Sequence, residues 1–210
     1  MLLNRDDVLD LLRCPKTGAR LKIIDSERLL ACHEEGNEYN IIQSYPILVD
    51  FEQSVLSEQD LIHTSLQSVV KRSSHQKLVK HLKRLISPPK ATTAANTLKV
   101  IDLMRLAEIN PTILIIGGGT VGQGLQALYE SPSIKIVAFD IYASPYVQFI
   151  ADAHKIPLPD NSFDAVIVQA VLEHVLEPQS VVSEIHRVLK KHGIVYAETP
   201  FLQHVHEGAY

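Results

Sequence analysis

Residues 113–124 read ILIIGGGTVGQG, and this stretch decides the fold. Ile113 to Ile116 are four apolar residues in a row, the pattern of a strand buried on both faces. They run into Gly117, Gly118 and Gly119, then Gly122 and Gly124. A helical pattern follows at Leu125, Leu128 and Tyr129. Strand, glycine turn and helix start together make a nucleotide-binding corner. Glycine lets the chain turn sharply and leaves no Cβ between backbone and ligand. The first N–H groups of the helix have no partner within it.

The corner alone leaves its ligand open. Gly117, Gly119 and Gly122 fit G-x-G-x-x-G, the dinucleotide fingerprint. The same corner serves S-adenosylmethionine (SAM) enzymes. A second buried strand, Ile134 to Phe139, ends at Asp140, a carboxylate placed to accept hydrogen bonds from ribose hydroxyls in either kind of site.

Upstream of the corner, Thr97 to Ala107 reads as an amphipathic helix stopped by Pro111, and Lys90 to Ala95 as a linker of small residues. Between Leu61 and Pro89 there is no acidic residue. Lys71, Arg72, Lys77, Lys80, Lys83 and Arg84 are interleaved with apolar residues at three- and four-residue steps, which predicts a basic amphipathic helix or pair of helices. Such a face suits phosphate, an anionic glycan or a membrane surface; the plainer reading is a packed helix with a solvated cationic side.

The first 51 residues read as a short helix (Asp6 to Leu12), a turn at Cys14 to Gly18, a strand pair (Arg20 to Ile24 and Arg28 to Cys32), and two further strands (Tyr39 to Ile42 and Ile47 to Phe51). LLRCP near the start, LLAC, and the late YPILVD resemble the short zinc-ribbon-like domain of the tRNA-methyltransferase activator family. Metal-bearing members carry C-P-x-C, and here Thr17 stands at the second cysteine position. Only Cys14 and Cys32 remain, with His33 beside the latter. A structural zinc wants four ligands, so no metal is expected and the cysteines read as small core residues.

Composition sets outer bounds. The 210 residues suffice for one good domain with a small companion. A formal net charge of −4 argues against a globally basic nucleic-acid binder, although a local basic patch leaves nucleic acid open. Two cysteines make no disulfide framework. No apolar run has the length of a membrane span, and the N-terminus lacks a signal-peptide core, so the expected location is the cytoplasm.

Downstream of Asp140 the pattern becomes specific. Asp152-Ala153, the apolar-proline stretch that follows, Asn161-Ser162-Phe163-Asp164, and Val171-Leu172-Glu173-His174-Val175 resemble class I SAM-dependent methyltransferases of the small-molecule or glycan type. The resemblance covers about residues 111 to 210. It implies an α/β fold: a doubly wound, mainly parallel Rossmann-like sheet, with the N-terminal α+β zinc-ribbon-like domain beside it. It divides the chain into residues 1–51, a helical basic linker region at 52–110, and a SAM-binding domain at 111–210. It places Gly117, Gly119, Gly122, Asp140, Asp152, Ala153 and Gln169 against the cofactor. His174, with Glu173, becomes the candidate general base in the loop beside the transferable methyl.

Several features depart from the family. Ile115 stands where an acidic residue is usual, and Gly122 falls one place late. The link from Asp140 to the next strand, Val147 to Ala151, is too short for the usual crossover helix and predicts a turn around Ser144-Pro145. The chain closes at Tyr210, soon after the fifth strand, Gly193 to Thr199. The expected sheet is therefore C-terminally incomplete, with an edge open to a second copy. His204, His206 and Glu207 in the tail read as a solvated segment rather than a metal site.

Two functions from different classes follow. One is a SAM-dependent methyltransferase with a small-molecule or glycan-like acceptor, anionic if the basic stretch contacts it. The other is a non-catalytic SAM-binding or scaffold protein that keeps the cofactor half of the fold. A weaker third, an NAD-binding oxidoreductase, rests on the glycine spacing alone.

Overall fold

The computed structural model describes residues 1–25, 29–32, 36–64, 66–67, 91–107 and 110–199. Most of the expected basic helix and the histidine-bearing tail lie outside the described residues. Among those described, nine strands form one sheet in the order β1-β2-β3-β4-β7-β6-β5-β8-β9.

Five neighbouring strands at one side of this sheet are parallel: β5 (Thr112–Ile116), β6 (Lys135–Asp140), β7 (Phe149–Ala151), β8 (Phe163–Gln169) and β9 (Leu189–Glu198). Their order is that of a doubly wound sheet, with the reversal between β5 and β8. Alternation along β5 explains the two layers. Leu114 and Ile116 face one core, shared with Val181, Ile185 and Val188 of α5 (Pro178–Val188). Ile113 and Ile115 face the other, shared with Val100, Ile101 and Met104 of α3 (Ala91–Ala107) and Leu128 of α4 (Gln126–Glu130). A strand buried on both faces has no polar side, and this one has none.

The N-terminal residues extend the same sheet. After α1 (Arg5–Leu9), strands β1 (Leu21–Asp25), β2 (Leu29–Cys32), β3 (Glu38–Ile42) and β4 (Tyr45–Leu48) form an antiparallel meander. β4 then pairs in parallel with β7, Ile47 opposite Ile150 and Leu48 opposite Ala151. Val8, Leu12, Cys14 and Leu48 join the same apolar cluster as Phe139 and Phe149, whose rings stack at 5.4 Å. The β3–β4 turn is tight: Gln43 and Ser44 both take positive φ, at 52° and 67°. Two such residues in a two-residue loop match the right-handed twist of the hairpin.

The expected short crossover between β6 and β7 is present as residues 141–148, with bends and no helix. N-terminal residues brace it. The Tyr45 hydroxyl donates to the Ser144 carbonyl at 2.7 Å, and the Ala143 N–H donates to the Leu66 carbonyl at 2.8 Å. Leu66 is fully buried there.

Several element boundaries differ from expectation (the strand expected at Ile47 to Phe51 is Tyr45–Leu48, for one), and two of the differences have a visible cause. Lys90 to Ala95 is not wholly linker, because α3 begins at Ala91. Thr93 and Thr97 are buried on that helix, and the Thr97 hydroxyl bonds back to the Thr93 carbonyl at 2.9 Å. Packing has overridden the weak helix propensity of threonine. At the other end, α5 stops at Val188, and β9 starts at Leu189 rather than at the expected Gly193. An irregularity in the β8–β9 register, with His192 at φ 66°, absorbs the extra residues before Ile194 pairs with Ala165.

The Cys14 turn is closed by the Gly18 N–H to the Cys14 carbonyl at 2.8 Å. The buried Cys14 sulfur lies 3.1 Å from the Tyr39 hydroxyl. Burial raises the thiol's pKa, but hydrogen bonds from Thr17 and Tyr39 outweigh this and leave it below the ordinary value. The side chain of Cys32 lies outside the described residues.

Candidate functional site

A cavity of about 700 Å³ opens at the carboxyl ends of β5 to β8, across the point where the strand order reverses. That volume is in the usual range for a small-molecule site. Its lining includes Gly117, Gly122, Asp140, Asp152, Ala153, Gln169 and His174 from the sequence-based set. Gly119 contributes from behind the wall. Glu173 is exposed and does not line the cavity.

The glycine loop is tied to its neighbours by close approach. Gly117 has φ 72°, and a Cβ there would sit 2.3 Å from Val171 Cγ2. A Cβ on Gly118 would meet Ala138 Cβ at 2.8 Å, and one on Gly119 would enter the Tyr142 ring at 2.4 Å. The Gly119 N–H donates to Asp140 Oδ2 at 2.7 Å, and the Ile141 N–H donates to Oδ1 at 2.8 Å. Asp140 is therefore buried, oriented and hydrogen-bonded from two sides. A carboxylate oxygen can accept more than one hydrogen bond.

Asp152 is held by three donors. The Ser54 hydroxyl donates to Oδ2. The His154 N–H donates to Oδ1 at 2.9 Å, and the His154 ring nitrogen Nδ1 lies 2.6 Å from the same oxygen. The Glu177 N–H donates to His154 Nε2 at 3.2 Å. A backbone N–H can only donate, so Nε2 must accept and the ring proton sits on Nδ1, facing Asp152. The network thus assigns the tautomer.

Glu198 closes the other end of the rim. It accepts from the Thr93 hydroxyl at 2.9 Å, the Tyr196 hydroxyl at 2.8 Å and Gln169 Nε2 at 3.1 Å. Burial, followed by the bond to Glu198, pushes the Tyr196 hydroxyl pKa above its ordinary value. Gln169 also donates to the Gln123 carbonyl at 3.2 Å. It lies so near Gly122 that a Cβ there would stand 1.8 Å from its Oε1. Ala170, next to it, has φ 54° and donates its N–H to the Glu198 carbonyl at 2.8 Å. A non-glycine residue with that φ beside a ligand cavity is local strain held by its surroundings. His174 follows on a turn closed by its N–H to the Val171 carbonyl at 2.8 Å.

One wall was not foreseen. Val55, Leu56, Ser57, Asp60, Leu61, Thr64 and Gln67 line the cavity, and α2 (Glu58–His63) carries the middle of this segment. Its start was legible. Ser57 followed three residues later by Asp60 is an N-cap pattern, and Ser57 Oγ accepts the Asp60 N–H at 3.4 Å. The reading of residues 52–110 as a helical basic linker region passed over the cap.

Residues 114–197 match the family model of a methyltransferase domain. The matched segment runs from β5 to β9 and carries Asp140, Asp152, Gln169 and His174. No curated protein sequence matches the chain. Among solved structures it is similar to a (4+2)-cyclase, SpnF, at 27% identity and TM-score 0.40, over 50% of this chain and 44% of that one. It is similar also to a candidate methyltransferase from Bacillus halodurans, at 28% identity and TM-score 0.37, over 48% and 50%. A third likeness is to the Haloferax volcanii complex of the Trm112 methyltransferase activator with a candidate methyltransferase, at 20% identity and TM-score 0.35, over 55% and 57%. The chain thus spans about half the length of the solved chains that it matches first. No helix among the described residues is long and apolar enough to cross a membrane.

Proposed function

We propose that this chain is a SAM-dependent methyltransferase acting on a small-molecule or glycan-like acceptor. The observation that carries the reading is the charge of the cavity in the methyltransferase domain. Its described lining carries the carboxylates Asp60, Asp140, Asp152 and Glu198 with His154 and His174, and no lysine or arginine is among the described lining residues. A sulfonium cofactor of net positive charge suits such walls. A dinucleotide needs N–H groups or cations for its pyrophosphate, and the Gly119 N–H is already given to Asp140.

The residues have distinct tasks in this reading. Gly117 and Gly122 let the cofactor lie against the backbone, with Gly119 binding Asp140 behind them. Asp140 accepts from ribose hydroxyls, and Asp152 with Ala153 holds the base. Gln169 borders the reacting end. The cofactor supplies an electrophilic methyl carbon when bound, so the protein's work is mainly alignment and exclusion of water. His174 takes a proton from the acceptor if the acceptor must lose one. The exposed Glu173 has at most a peripheral part in this scheme.

The test is calorimetric. Asp140→Ala and Asp152→Ala should each weaken SAM binding, with far-ultraviolet circular dichroism unchanged. Unaltered affinity in both variants would show that the cofactor lies elsewhere. The anionic-acceptor reading has a separate test: neutralising Lys77, Lys80, Lys83 and Arg84 together should slow turnover on anionic acceptors, and unchanged rates on all of them would remove it.

A further inference from the structure

We propose that Ser54 is a positioning residue for the cofactor pocket, acting through Asp152, so that the strand unit at the N-terminus takes part in cofactor binding. The inference rests on the SAM-binding reading above and adds a residue outside the methyltransferase-domain match.

Ser54 lies just beyond β4, the strand that joins the N-terminal meander to β7. Asp152 lies just beyond β7. The parallel pairing of Ile47 with Ile150 and Leu48 with Ala151 brings both chain exits to the same rim of the sheet. There the Ser54 hydroxyl donates to Asp152 Oδ2, while His154 occupies Oδ1. Ser54 Oγ also accepts the Leu56 N–H at 3.2 Å, so the serine is fixed by its own loop. That loop leads through Val55, Leu56 and Ser57 along the cavity wall. Asp152 is 8% exposed, so its rotamer is set by these partners rather than by water. Without the Ser54 donor, Oδ2 loses that partner and the carboxylate, held then at Oδ1 alone, turns more readily about its last bond. A ligand donor that met one fixed oxygen must then order it on binding.

A double-mutant cycle read by calorimetry with SAM tests this. Ser54→Ala should weaken SAM binding about tenfold, the scale of one hydrogen bond to a charged group. Ser54→Thr, which keeps the hydroxyl, should stay within about threefold of wild type. In an Asp152→Ala background, Ser54→Ala should change affinity by less than about twofold, because its route is gone. Equal losses from Ser54→Ala in both backgrounds would overturn the proposal, as would wild-type affinity in Ser54→Ala. Amide exchange on the ligand-free protein gives a second readout. The His154 N–H, which donates to Asp152, should exchange about tenfold faster in Ser54→Ala, and an unchanged rate contradicts the coupling. If wild-type protein took up no SAM, the functional reading would fail while the exchange experiment still judged the Ser54–Asp152 contact.

Discussion

The two ends of the cavity are built by different means. At the Asp140 end, a buried carboxylate is fixed largely by nearby backbone: Gly119 from the adjacent strand's loop and its own neighbour Ile141. At the Glu198 end, a carboxylate is fixed by side chains gathered from α3, β8 and β9, namely Thr93, Gln169 and Tyr196. The first end is a stiff cradle, because main-chain donors move only with their strands. The second depends on three side chains that can each be replaced. In the functional reading, the first end retains the cofactor and the second shapes the acceptor side.

The largest expected effect breaks the stiff end. Asp140→Ala removes the acceptor of two main-chain donors as well as the proposed ribose contact. SAM affinity should fall roughly a hundredfold, about 3 kcal/mol, measured by calorimetry. Next, Gly117→Ala places a Cβ against Val171 at a backbone φ of 72°. Strain and overpacking together should cost about 2–3 kcal/mol of stability in urea unfolding. A smaller effect sharpens the contrast at the other end. Glu198→Ala leaves Thr93, Gln169 and Tyr196 short of an acceptor and should cost about 1–2 kcal/mol of stability. Its SAM affinity should stay within about threefold of wild type, and a loss as large as that of Asp140→Ala would erase the distinction between the ends. The smallest effect is a gain. Ala170→Gly relieves a left-handed alanine beside the cavity and should raise stability by up to about 1 kcal/mol in the same urea experiment, against the added entropy of the unfolded chain.

This contrast also explains what could be read in advance. Asp140 and the glycine loop are legible because one strand-and-turn pattern brings them together, and Asp152-Ala153 because the resemblance names them. The alternation of Ile113, Leu114, Ile115 and Ile116 between two cores is implicit in an unbroken apolar run. The absence of a crossover helix between β6 and β7 follows from chain length alone. What replaces it does not: Tyr45 and Leu66 reach residues 143 and 144 only because β4 docks on β7. That parallel pairing links segments about a hundred residues apart, and no local periodicity encodes it. The same pairing brings Ser54 to Asp152 and sets α2 along the cavity, so the cap at Ser57 is legible but the place of Val55 to Thr64 on the cavity wall is not. The start of α3 at Ala91 was missed because Thr93 gains from burial against Glu198, a term that helix propensity does not contain.

The proposed occupant of the cavity at the β5–β8 reversal is a sulfonium nucleoside. The most direct test is a calorimetric titration of the 210-residue chain with SAM, with NADH in a parallel cell. Saturable SAM binding with no heat from NADH is the predicted result. Saturable NADH binding, or no binding of SAM at all, would contradict it.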